Sequence, residues 1–118
     1  CDFVDLEGNA VFLSKYTRGV EISDSSFSQI GESAMAAWGV TQNLPHSPSL
    51  PEGVGIDGTA GDQPRGTKVL RNFVRDIGLR ERQSSAWGEF KACESVVEAN
   101  IFFNMPRAAV NLNDGFGG

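Results

Sequence analysis

The chain is 118 residues long, a length that suits one domain. Its 10 Lys and Arg against 15 Asp and Glu leave a net charge of −5, and no basic run or stripe appears, which argues against a phosphate-tracking nucleic-acid surface. No apolar run approaches the roughly 20 residues of a membrane span, and 14 glycines favour turns and close backbone approach over long helices.

Taken in chain order, residues 2–13 read as a first pass of extended chain. Phe3, Val4 and Leu6 are followed by a bend at Gly8-Asn9 and then by Val11, Phe12 and Leu13. Three further segments, residues 20–31, 68–78 and 96–106, share one template. Each has a short β-type run, a polar Asn or Ser, a second short run, and a closing Gly or Pro. Aligned on their ends, Ser25, Asn72 and Asn100 coincide. So do Ile22, Val69 and Val97, then Phe27, Val74 and Phe102, then Ile30, Ile77 and Met105.

Each segment is followed by another strand-like run. After the first comes Met35-Ala36-Ala37-Trp38, which fits either face by one register. After the second comes the run from Ser84 to Ala92, in which Gly88, Phe90 and Ala92 are expected inside and Trp87, Glu89 and Lys91 outside. After the third, Val110 and Leu112 are expected inside and Asn111 and Asn113 outside.

This pattern is that of a parallel β-helix, a solenoid of about four turns, all-β, in which each turn pairs with the turns above and below. Its corners need residues that tolerate left-handed backbone and can hydrogen-bond locally, and Asn does both. Asn72 above Asn100 is the expected ladder, with Ser25 as a third rung. The spacing from Ser25 to Asn72 exceeds that from Asn72 to Asn100 because residues 40–66, rich in Pro, Gly and Ser, form a loop inserted into one turn. The competing reading draws residues 28–38 and 67–82 as amphipathic helices, against which the repeated Gly and the β-branched residues argue. Residues 1–118 thus read as one segment. The start at Cys1 rather than Met, and the lack of anything resembling a cap, suggest a piece of a longer chain. Two cysteines, Cys1 and Cys93, are too few for a disulfide framework; they pair with each other, with chain outside the segment, or not at all.

The stretch from Phe102 to Gly118, and residues 31–39 with their Ala36-Ala37-Trp38-Gly39, resemble the right-handed parallel β-helix proteins of the pectate-lyase-like superfamily, in particular a large eukaryotic subgroup. The resemblance covers most of the chain outside the insert. It implies a secreted or cell-surface protein with a shallow groove along one outer sheet, walled by loops and facing a polysaccharide. The chain carries no recognisable pectate-lyase catalytic motif.

A glycan groove needs aromatic rings for sugar faces and planar polar groups for hydroxyls. Trp38 and Trp87 are the stacking candidates, and Glu89, Lys91, Arg107, Asn111, Asn113 and Asp114 the polar ones. Lys91 and Arg107 suit a uronate, Arg through a bidentate fork. Each also has a plainer role. The tryptophans fit a core, Glu89 and Lys91 a solvated pair worth about 0–1 kcal/mol, Arg107 a corner bonded to carbonyls, and Asp114-Gly115 a turn. His46 sits in the Pro-rich insert and is expected exposed. Asp57 and Asp62 are a weak Ca²⁺ set, so no cofactor is expected. No Cys/His spacing suits zinc. The function expected is that of an extracellular protein binding or processing polysaccharide as a lyase, hydrolase or epimerase. The alternative is a non-catalytic building block of a filament or surface coat, in contact with copies of itself or with other chains.

Overall fold

The computed structural model describes residues 1–39 and 62–113, which form thirteen strands and no helix. The first pass of chain makes β1 (Asp2–Leu6), β2 (Val11–Ser14), β3 (Thr17–Arg18) and β4 (Glu21–Ser23). The second makes β5 (Ser26–Ile30), β6 (Met35–Trp38), β7 (Pro64–Arg65) and β8 (Lys68–Leu70). The third makes β9 (Phe73–Ile77), β10 (Ser85–Phe90) and β11 (Val96–Glu98), and the last makes β12 (Ile101–Phe103) and β13 (Ala108–Leu112).

These strands build four sheets, all parallel. Sheet 1 has the order β1-β5-β9-β12, sheet 2 β13-β10-β6-β2, sheet 3 β3-β7 and sheet 4 β11-β8-β4. The chain therefore visits the sheets in one repeating order. On the third pass the strand of sheet 3 shrinks to a single parallel bridge between Arg65 and Cys93.

Parallel pairing sets each residue beside its counterpart on the next pass, and the apolar pattern fixes the register. Phe27 pairs with Phe3 on one side and Val74 on the other, and Val74 pairs with Phe102. Ile30 lies between Leu6 and Ile77, and Val69 between Ile22 and Val97. The segment alignment read from the sequence is thus the observed register at these positions. Phe27, Ile30, Met35, Ala37, Val69, Val74 and Trp87 are wholly buried. Phe3 and Phe27 stack with ring centroids 4.7 Å apart and planes 3° from parallel, close to the separation of neighbouring strands. Burying a side chain of this size stabilises by about 1.5–3 kcal/mol.

Polar side chains close the corner between sheets 4 and 1. Asn72 is buried, and its Oδ1 accepts the Ser25 backbone N–H at 3.1 Å. Its Nδ2 donates to the Ile22 carbonyl at 2.8 Å and to Asn100 Oδ1 at 3.1 Å. Asn100 repeats the arrangement one pass later, accepting the Asn72 backbone N–H at 2.8 Å and donating to the Val69 carbonyl at 2.8 Å. Ser25 occupies the rung above, its hydroxyl donating to the Ser23 carbonyl at 2.8 Å. The left-handed residues at this corner are not the asparagines, as expected from their tolerance, but the residues before them: Asp24, Arg71 and Ala99. A non-Gly residue there costs about 1–2 kcal/mol, and the bonds made by the following Asn and Ser offset it. Positive-φ residues recur elsewhere, near the ends of the sheet 1 strands as Asp5, Gln29 and Asp76 and just after one as Asn104, and at other corners as Lys15 and Lys91 and as Gly19, Gly66 and Glu94.

Two readings are corrected, and the competing helical one falls. The inserted loop ends before residue 64, because Pro64–Arg65 pairs as β7 with β3. The competing helical reading of residues 28–38 and 67–82 falls, because both runs carry strands. In β10 the faces are reversed: Trp87 is wholly buried, beside Met35, so Gly88 and Phe90 face outward. A one-residue shift exchanges every side chain between the two faces, and Gly88, Phe90 and Ala92 satisfied the alternation as well as Ser85, Trp87 and Glu89 do.

Asn72→Ala would leave the Ser25 N–H and the Ile22 carbonyl without their partner, and each buried unsatisfied group costs about 1–3 kcal/mol. Urea unfolding should show a larger loss for Asn72→Ala than for the more exposed Asn100→Ala; the reverse order would contradict the ladder. Outside the same corner, Arg71 donates to both carboxylate oxygens of Asp24, at 2.8 and 2.7 Å, and these bonds hold that carboxyl below the ordinary Asp range. A depressed carboxyl pKa contributes stability above the unfolded-state value and loses it as the pH falls through the folded-state value. Both partners are exposed, so Asp24→Asn should differ only slightly from wild type near neutrality, and the difference should vanish in acid or high salt.

Candidate functional site

Strand alternation on sheet 2 aims two columns of side chains outward. One runs Phe12, Ala36, Gly88, Asn111, and the next runs Ser14, Trp38, Phe90. Asn113 continues the second column, since it follows Leu112, the partner of Glu89, and its N–H donates to the Glu89 carbonyl at 2.9 Å. The inward columns of this sheet carry Val11, Met35, Trp87 and Val110, and Leu13, Ala37, Glu89 and Leu112.

The second outward column contains a stacked aromatic pair. The Trp38 and Phe90 ring centroids are 4.8 Å apart with 21° between the planes. The Phe90 ring leans over Gly88, where an added Cβ would lie 3.0 Å from Phe90 Cε2. A small residue at 88 is thus what lets the ring lie there. Ala36 is likewise buried although it faces outward. Trp38 is 49% exposed and Phe12, in the neighbouring column on β2, 51% exposed, so large aromatic surface stays in solvent. Lys15 and Lys91 stand at the corner that follows this column, both with left-handed backbone.

Of the residues expected to form the site, the structure gathers Trp38, Lys91, Asn111 and Asn113 along this face or its corner. It does not gather Trp87, which the core swallows and which no sugar reaches; the indole Nε1 donates to Glu89 Oε2 at 3.1 Å. Glu89 shares the inward face with Trp87 and so leaves the outer polar set. Arg107 is exposed but precedes β13, at the opposite end of that strand from Asn113. Asp114, His46 and Asp57 lie outside the described residues. Phe12, Ser14 and Phe90 were missed as site residues. The alternation Val11-Phe12-Leu13-Ser14 was the available signal for the first two.

Among the described residues, no Asp or Glu stands in the two outward columns, and no group of three or more His, Cys, Asp or Glu is placed to hold a metal ion. Asp62 is exposed. Cys1 and Cys93 are free thiols. No helix among these residues is long and apolar enough to cross a membrane. A cavity of about 230 Å³ lies at a corner of sheet 1, lined by Asp5, Leu6, Glu7, Gln29, Gly31, Leu79 and Arg80. None of the expected site residues lines it. No protein-family model, curated protein or solved structure matches the chain.

The two tryptophans should separate in a quenching experiment. Acrylamide should reach Trp38 and spare Trp87, so Trp38→Phe should leave a blue-shifted, poorly quenched emission. Efficient quenching of that variant would mean that Trp87 is not buried.

Proposed function

We propose that the chain is a stretch of a right-handed parallel β-helix of the pectate-lyase-like kind, and that as an extracellular or cell-surface protein it binds polysaccharide through the outward face of sheet 2. The solenoid reading is supported by the repeating order in which the chain visits four parallel sheets. The glycan reading is carried by one observation: the exposed Trp38 stacked on Phe90, with Phe12 beside them and the amides of Asn111 and Asn113 further along the two columns. An aromatic face supplies apolar contact to a sugar ring, and amides and ammonium groups supply bonds to its hydroxyls. The small residues Ala36 and Gly88 leave these rings prominent.

Binding is favoured over catalysis on this face. A lyase, hydrolase or epimerase needs a positioned acid or base, and the two outward columns carry no carboxylate among the described residues. Trp38→Ala should weaken retention on immobilised polysaccharide at least tenfold, about 1.4 kcal/mol, with circular dichroism unchanged. Equal retention of wild type and variant would contradict the reading.

The second reading, a structural building block, draws on the edge strands β11, β12 and β13. Among the described residues each pairs on one side only, and their core-facing Val97, Val110 and Leu112 are exposed. A further parallel rung, from this polypeptide or another, would cover them. Concentration-dependent growth in sedimentation, with no glycan retained, would favour it.

A further inference from the structure

We infer that this face takes one sugar ring of a soluble, single glycan chain, and that the ring seats against the face of Trp38 that looks across Ser14. The inference rests on the glycan reading above and deepens it.

The geometry of the aromatic pair carries the argument. Trp38 and Phe90 are direct partners on neighbouring strands, and their centroids are 4.8 Å apart, about one strand spacing. Two rings lying side by side in one plane would collide at that separation. With 21° between their planes they lie face to face, so they stand up from the sheet and do not pave it. A flat crystalline polysaccharide needs coplanar rings spread along a surface, and this column does not offer them. Each ring covers one face of the other, and free faces remain only at the two ends of the pair.

The end at Trp38 is the more open. Its partner on the other side is Ser14, whose short side chain cannot cover an indole. Ser14 is itself exposed, and Phe12 stands two residues away on the same face, 51% exposed. The result is a step one residue wide: Trp38 forms its wall, Ser14 its floor, Phe12 flanks it on one side and the Lys15 corner follows on the other. A pyranose placed there extends the stack Phe90–Trp38 by one ring, its apolar face on the indole, with the Ser14 hydroxyl below it as donor or acceptor. At the far end, Phe90 faces the position of Asn113, whose side chain is larger than that of Ser14.

Filling the step tests the inference. Wild type, Ser14→Ala, Ser14→Phe and Trp38→Ala would be titrated calorimetrically with cellohexaose, xylohexaose, chitohexaose and hexagalacturonate. The same proteins would be mixed with microcrystalline cellulose and chitin and depletion measured. The expected result is binding of at least one soluble hexasaccharide by wild type and by Ser14→Ala. Ser14→Phe, which occupies the step while keeping the aromatic column, should lose at least tenfold in affinity with an unchanged melting temperature. Tighter or equal binding by Ser14→Phe would overturn the step. Retention on the crystalline polymers without binding of any hexasaccharide would overturn this inference and leave the glycan reading standing. Binding to none of these probes would overturn both.

Discussion

In-register parallel pairing is the constraint on which the rest of this molecule depends. Backbone hydrogen bonds hold neighbouring strands about 4.8 Å apart, so a residue on one pass of chain meets the residue at the same position of the next. Whatever stands at a position must therefore tolerate its counterpart as an immediate neighbour. Inside, the constraint is met by apolar columns such as Phe3, Phe27, Val74 and Phe102. At the corners it is met by stacked residues of positive φ. The same rule that lays Phe3 on Phe27 in the core lays Trp38 on Phe90 outside it.

The corner asparagines show why polar groups can occupy so confined a position. A chain that turns between two sheets leaves backbone N–H and carbonyl groups out of both ladders, and buried groups of this kind need partners. The Asn72 side chain serves two of them at once, the Ser25 N–H and the Ile22 carbonyl, and also donates to the side chain of the next asparagine. The column is thus a substitute for missing strand pairing, and it tolerates the left-handed Arg71 just ahead of it. The outward aromatic pair needs its own concession, a small residue at 88 under the edge of the Phe90 ring that stacks on Trp38.

The sequence made the columns legible where chemistry repeats. Asn72 and Asn100 are the same residue, and Ile22, Val69 and Val97 are all aliphatic, so the register could be read from the sequence. The left-handed corner was hidden because Asp24, Arg71 and Ala99 have nothing in common as side chains; only the backbone makes them alike. The face of β10 was misread because Gly88, Phe90 and Ala92 alternate as convincingly as Trp87 and its true companions, and strand periodicity has no absolute phase. Parallel pairing supplies that phase: Met35, wholly buried, is the partner of Trp87 and fixes it as an inward residue. Half of the site followed from the same cause. Trp38 was recognised, while its stacking partner Phe90 was assigned to the core.

The phase of β10 decides both the core and the face proposed for glycan, so it is the point to test. Nuclear Overhauser contacts of the Phe90 ring measure it directly. The account predicts strong contacts from Phe90 to the Trp38 indole and to Gly88, and from Trp87 to Met35. Contacts from Phe90 to the buried methyl groups of Val69 or Val74, with Trp87 in solvent, would contradict it.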